Sequence, residues 1–558
     1  MGEGKDVKWK DLQDKLTVKA GEPADFTVER EPVPIIFVPG IMGSRLRQAG
    51  GKKKVWDPDD QLFMLWNYLM ASPADRKKAL VGDKFSASYL EAYGYKVPDS
   101  DHAKSYFKNF PGAEQAQDRG WAGVMWGVYG DVLKRMAEGA CWLPTVTACF
   151  DLPVYAFGFN WTDDVVNSGK QLKQYIDHVI DQHSGAKHVI LVSHSMGGLV
   201  TRSACKLHGA ESKVLGVVHG VQPATGAPVA YWQMKGGIQR APPGTPIFKS
   251  IMSSLMARVL GSSGKEVTAL LGNIPGGLSL LPNKQFNDGK AWLKFLDREG
   301  KEQTKESLPQ KGNPFDEIYR KKGVYWALID PALLDPGAKK KSKSDDPMAA
   351  DTTDDSTPWD GFEAVLKLAE KFHDKLKAQQ HAETHNMWGI GKDYPTSDVV
   401  EYKSAPHGWR EVAGDIAQVA LGTYEAGLIG GILTGGAGAI VAGGAALGGQ
   451  LLQRSDYWQA QGGFKTKLTT PKGVTFEVTL QPPTGEGDGT VPVCSGSAMK
   501  QQGDSQDMKI PDKPAKGQDY GAFAGTSHQD AYKGDSPTQD FALDAINKLC
   551  LLKIKKSK

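Results

Sequence analysis

The stretch HVILVSHSMGG, residues 188–198, decides how the rest of the chain is read. Its first half, His188–Val192, is a short apolar run bounded by a Ser/Gly turn, the pattern of a buried strand. Leu199–Leu207 follows with helical spacing. A strand, a sharp turn and a helix together make the setting of a nucleophile elbow, which presents its central serine at the sheet edge above a helix N-terminus. The strained turn needs small neighbours. Gly197 meets the G-x-S-x-G pattern, whereas Ser193 takes the place of its first glycine. Ser195 is therefore the candidate nucleophile, and the backbone N–H of Met196 is one candidate oxyanion donor.

Outward from this stretch, Pro34–Val38, Val154–Phe159 and Val214–Val218 read as further buried strands, and Asp163–His183 carries apolar residues at helical spacing. Alternating strands and helices predict an α/β fold around a mostly parallel sheet. Directly after the first strand comes PGIMGSRL, residues 39–46, whose glycines let the backbone turn toward a reaction centre. An N–H from Ile41 or Met42 is the second candidate oxyanion donor. A serine nucleophile needs a base, and the base needs an orienting carboxylate. In the order Ser, Asp, His both partners lie late in the chain. Asp488, in GDGTVP (487–492), follows the strand-like VTFEVTLQ, and His528 follows it in a loop before the last predicted helix, Thr538–Leu551. Asp330 and His407 are the fallback acid and base.

Composition narrows the class. The chain has 558 residues with 67 Lys+Arg against 64 Asp+Glu, a net charge of +3, and no basic half that would neutralise a phosphate backbone. Nucleic acid is not an expected partner. With 40% hydrophobic and 23% charged residues and a mean hydropathy of −0.39, neither a polytopic membrane protein nor a wholly disordered chain is expected. Five cysteines without a C-x-x-C pair suggest no disulfide scaffold or thiolate zinc site, although Cys141 and Cys149 are spaced to pair in an oxidising compartment. The N-terminus MGEGKDVKWKDLQDK has no apolar core of a secretory signal, and Asp6 breaks the myristoylation pattern.

The length is best read as insertions in one catalytic unit. Residues 28–225 and 461–558 form the two parts of the expected core, with a strand-like return at 385–405. Residues 226–384 form an expected cap with a polar linker at 339–358. Residues 406–460 form a second insertion holding Ala426–Gln450, 25 uncharged residues of which ten are glycine. That segment is long enough to cross a hydrocarbon layer, yet ten glycines disfavour a helix in water. A membrane-contacting lid, a self-packed insertion and a bilayer-permeabilising segment all fit it. His381 and His385 have the i, i+4 spacing of a helical metal pair but no third ligand, so an exposed polar helix end is the expectation. Asp57, Asp59, Asp60, Asp345 and Asp346 do not form a calcium loop, and structural calcium stays open.

The motifs PGIMGSRL, Asn160-Trp161, SHSMGG, LSLLPN (278–283), WGIGKDYPT (388–396) and GDGTVP together resemble the lecithin:cholesterol acyltransferase and GPI inositol-deacylase-like branch of the α/β-hydrolases. The resemblance covers most of the chain in order. It implies an α/β-hydrolase with large helical cap insertions, Ser195 as nucleophile, Asp488 as acid, His528 as base, an oxyanion donor near Met42, and ester hydrolysis or acyl transfer on lipids without a cofactor. Asn160 stands where many relatives have Asp. A large member with polar insertions also looks like the antibacterial phospholipase effectors of type VI secretion. That implies export without a cleavable signal, membrane phospholipid as substrate, a secretion-spike protein as carrier and a cognate immunity protein as inhibitor.

Overall fold

Apolar runs and helical patterns assemble around six parallel strands in the computed structural model: β1 (Ile35–Val38), β2 (Val154–Ala156), β3 (Val189–His194), β4 (Val214–Gly220), β5 (Thr384–Ile390) and β6 (Asp519–Ala524). The structure describes residues 30–92, 113–238, 261–337, 357–404, 459–460, 464–469, 475–500 and 519–557, apart from 52, 70, 83, 84, 87, 262, 298 and 535. The sheet order is β6-β5-β4-β3-β1-β2, and every pairing is parallel. β1 lies between β3 and β2, with Val38 beside Ser193 and Ile35 beside Val154. The chain therefore leaves β1 toward one edge and returns at β3 on its other side. The crevice at such a switch point, outside the carboxyl ends of the strands, is where open α/β sheets bind ligands.

Alternation along the strands divides the core in two. Ile35, Phe37, Ile190 and Val192 face a cluster with Val132 and Leu133 of α1 (Trp126–Glu138) and Ile546 and Leu549 of the C-terminal helix Pro537–Ser557. Ile36, Val38 and Leu191 face the other, with Leu172 and Ile176 of α2 (Val165–Asp181) and Leu199 and Val200 of α3 (Met196–Leu207). Asp164 caps α2 by accepting from the Val166 N–H, one of the donors left unpaired at a helix start.

A second sheet lies in the order Leu293–Leu296, Val400–Ser404, Thr475–Leu480, Phe464–Thr469, Gln459–Ala460. Its first pair is parallel and the others antiparallel. Val400–Ser404, at the end of the expected return at 385–405, and Thr475–Leu480, within the strand-like VTFEVTLQ, thus join a strand of the expected cap and not the central sheet. Tyr231 of α4 (Pro228–Gly236) reaches this sheet, its hydroxyl 3.2 Å from that of Tyr402. α5 (Gly264–Leu271) packs beside α4, and α6 (Pro358–Leu376) packs on α3.

A second expectation is corrected. His381 and His385 are not an exposed helix end: His381 precedes β5, His385 lies within it, and both are buried. His381 sits at the bend before the strand with Nδ1 accepting from the Glu383 N–H, and no group of three His, Cys, Asp or Glu that could hold a metal occurs among the described residues. Cys141 and Cys149 are free thiols. Residues 339–356 of the polar linker, the glycine-rich segment Ala426–Gln450, His407, Asp345 and Asp346 lie outside the described residues. No helix among the described residues is long and apolar enough to cross a membrane.

Candidate active site

β3 ends at His194, and Ser195 adopts φ 51° and ψ −124°, a region a non-glycine residue occupies only under constraint. Neighbouring strands impose it. The Ser195 N–H donates to Gly220 O at the end of β4, and α3 starts at Met196. Gly197 is required by closeness: a Cβ there would overlap the carbonyl oxygens of Val38 and Pro39. Ser193, at the position where the elbow pattern has its first glycine, places Oγ 2.7 Å from the buried His219 Nδ1 on the neighbouring strand.

His528 follows β6, at the start of a single turn in which Ser527 Oγ accepts from the Asp530 N–H. Its Nε2 lies 2.8 Å from Ser195 Oγ and its Nδ1 2.8 Å from Asp488 Oδ2. Asp488 sits in the GDGTVP turn with Oδ1 accepting from the N–H groups of Thr490 at 2.9 Å and Val491 at 2.7 Å. The His528 N–H also donates to Asp488 O at 2.9 Å. Both carboxylate oxygens are thus engaged, which fixes the plane of the group and the rotation of the imidazole it faces. Gly389 of β5 makes room, since a Cβ there would stand 2.7 Å from Asp488 Cβ.

The turn after β1 lies against this array. Met42 has φ 62°, and its carbonyl accepts from Trp56 Nε1 at 3.0 Å. The Gly40 N–H donates to Tyr129 Oη, and Gly43 O accepts from the Met125 N–H. The N–H groups of Ile41 and Met42 make no hydrogen bond to another described residue. Met196, as the first residue of α3, carries one of the N–H groups a helix leaves unpaired.

The structure therefore brings together Ser195, Asp488, His528, Met42 and Met196. Asp330 is elsewhere, capping a short turn through the Ala332 N–H. Asp57, Asp59 and Asp60 meet cations of the chain itself: Arg45 bridges Asp57 at 3.1 Å and Asp59 at 2.8 Å, and Lys54 bridges Asp57 and Asp60. Asn160 is buried, accepting from Thr162 and donating to Leu90 O. Two residues the motifs did not single out also touch the site, Tyr129 and His194. The tyrosine lies on an amphipathic helix and the histidine occupies a variable position of the elbow, so neither carried a pattern of its own.

Above Ser195 a cavity of about 350 Å³ opens between the β1 turn, the start of α1 and α4. Val229, Ala230, Met234, Ile238, Leu271 and Leu280 line one side. Thr490, Gln529, Asp530 and Lys533 lie on the other, beside His528.

With this geometry in view, the family model described as "Putative serine esterase (DUF676)" matches residues 158–275, the stretch that contains the elbow. Among solved structures, a chain from the crystal structure of the Tle4-Tli4 complex is similar to this one over 94% of this chain and 99% of that chain, with 24% identity and a TM-score of 0.65. The chain has the α/β-hydrolase fold. No curated protein matches it by sequence.

Proposed function

We propose that this protein is a serine hydrolase that cleaves acyl esters of membrane phospholipids and serves as a secreted antibacterial effector. The observation that carries the reading is the continuous Ser195–His528–Asp488 array at the floor of an apolar cleft. In this reading His528 Nε2 takes the Ser195 proton as Oγ attacks the ester carbonyl. Asp488 holds the proton on Nδ1 and stabilises the imidazolium. The N–H groups of Met196 and of Met42 or Ile41 donate to the oxyanion, and His528 returns the proton to the leaving alkoxide. Water then releases the fatty acid by the reverse sequence. The steps call on no cofactor.

Lipid as substrate is supported by the cleft wall of Val229, Ala230, Met234, Ile238, Leu271 and Leu280, which suits an acyl chain and offers an ionic group nothing. The surface next to the mouth supports it too. Pro58 and Asp59 line the cleft, and the segment that follows exposes Leu62 by 69% and Trp66 by 76%, about one helical turn apart. Exposed Trp and Leu side by side fit the interfacial zone of a bilayer. The similar solved chain belongs to a two-protein complex. A dedicated inhibitor protein seated over this cleft, and a secretion-spike carrier, are the partners proposed here.

The test is mass-spectrometric product analysis of a mixed bacterial lipid extract treated with wild type or Ser195→Ala. Free fatty acid and lysophospholipid should accumulate with wild type only, and transfer of the acyl group to an added alcohol would reveal an acyltransferase instead. Undiminished lipid cleavage by Ser195→Ala overturns the assignment.

A further inference from the structure

His194 is buried directly beside the nucleophile, and its two ring nitrogens face in different directions. Nδ1 lies 3.0 Å from Tyr129 Oη, and Nε2 lies 2.8 Å from the main-chain oxygen of His528. Tyr129 Oη in turn accepts from the Gly40 N–H at 3.0 Å. The direction of every bond is fixed by the end groups. An amide N–H only donates, so Gly40 gives to Tyr129. The single phenolic hydrogen then goes to His194 Nδ1, and the proton on Nε2 goes to a carbonyl that only accepts.

The environment keeps this chain in one state. Burial, and then the neighbouring His528, push the His194 imidazole down to about 3, so the ring stays neutral with its proton on Nε2. Burial holds the Tyr129 phenol far above its ordinary range, so it keeps the hydrogen it donates. The rings are in contact as well: His194 and His528 centroids are 5.2 Å apart and Tyr129 and His194 centroids 5.5 Å. Space is tight, because a Cβ at residue 40 would stand 2.8 Å from His194 Nδ1.

We infer that Tyr129 and His194 are positioning residues that tie the oxyanion turn after β1 to the backbone of the catalytic histidine. The two ends of the chain carry opposite halves of the reaction. Gly40 sets where the Ile41 and Met42 N–H groups stand, and the His528 carbonyl sets where Nε2 stands over Ser195. They lie on segments almost 490 residues apart, with no covalent reason to keep register. A one-way string of three hydrogen bonds supplies that register, each donor polarised by the bond before it. The inference rests on the serine-hydrolase reading and says which further residues its rate depends on.

The experiment uses the full-length protein and a soluble p-nitrophenyl ester, with kcat expressed per site labelled by a fluorophosphonate so that only assembled sites are counted. Tyr129→Phe keeps the ring and removes the first two bonds. It should lower kcat about 10- to 100-fold, the range that a misplaced catalytic group costs, with KM within about twofold. His194→Leu should do the same, and His194→Gln, which keeps an N–H donor where Nε2 stands, should recover at least about tenfold over leucine. Wild-type kcat in Tyr129→Phe or His194→Leu, a loss expressed in KM instead, or glutamine no better than leucine overturns the inference. Full hydrolysis by Ser195→Ala would instead strike the serine-hydrolase reading itself, so the two failures are distinguishable.

Discussion

Ser193 carries a hydroxyl where the elbow pattern has a bare glycine, and that hydroxyl lies 2.7 Å from His219 Nδ1 in a fully buried site. His219 is kept neutral, pushed down to about 3 by burial and then by the Arg202 charge. A neutral imidazole left there without its partner is a buried polar group with a lost bond, which costs about 1–3 kcal/mol. Ser193→Gly therefore restores the pattern and harms the protein. Its unfolding free energy from urea denaturation should fall by that much while kcat/KM stays within a fewfold of wild type; an equal or higher stability would show that the hydroxyl contributes nothing. The same neighbourhood explains what could be read beforehand. Ser195, Asp488 and His528 announce themselves because each stands in a local pattern of turn residues. Tyr129 and His194 do not, because their roles arise only from partners 65 and 334 residues away.

The segment between β1 and α1 buries Leu46, Trp56 and Tyr68 in the core, and a cluster of charges ties it to its neighbours. Arg45, three residues after Met42, is buried and forks between Asp57 and Asp59, with Nη1 also donating to Ala122 O. Asp59 in turn accepts from the N–H groups of Trp126 at 2.7 Å and Gly127 at 2.8 Å, where a carboxylate offsets the positive end of α1. One guanidinium thus links the oxyanion turn, the DPDD turn and the helix that carries Tyr129. Arg45→Met keeps volume and removes the charge, leaving two buried carboxylates without it. The expected cost is about 3–5 kcal/mol of stability by urea denaturation. Arg45→Lys should recover only part, because an ammonium cannot make the planar fork; a midpoint unchanged in the methionine variant refutes the role. Helices α2 and α3 and strands β1 to β4 were legible, since their apolar residues recur regularly. β5 was legible only in part: the return at 385–405 covers it, but its first residues, Thr384, His385 and Asn386, are polar and yet buried, Asn386 donating to Gly496 O. A strand enclosed on both faces has no alternation to read.

Three histidines buried in different parts of the fold make its stability a function of pH. His194 and His219 are pushed down to about 3, and His373 of α6 to about 4, each chiefly by burial. His373 shows why the neutral form is built in: its Nδ1 accepts from Asn283 Nδ2 at 3.0 Å, and Nε2 donates to Ser279 O at 2.8 Å, so a second proton would break the Asn283 bond. In the unfolded chain these rings titrate near about 6.5. Below that pH the unfolded state binds protons that the native state refuses, so stability complete above pH 6.5 is lost as pH falls toward 4. Asp163, raised to about 6 by burial, works in the opposite sense between pH 6 and 4, and Asp164 is raised as well. The histidines outnumber them, leaving a net loss of about 1–3 kcal/mol per pH unit at about 1.4 kcal/mol per proton. Unfolding free energies from urea denaturation measured from pH 7.5 to 4.5 should fall along that slope. His373→Gln, which lies away from Ser195 and removes one titrating ring, should flatten it by about 1.4 kcal/mol per unit. A midpoint constant from pH 7 to 5, or a slope the substitution leaves untouched, would mean that the buried rings accept their protons without opening the fold.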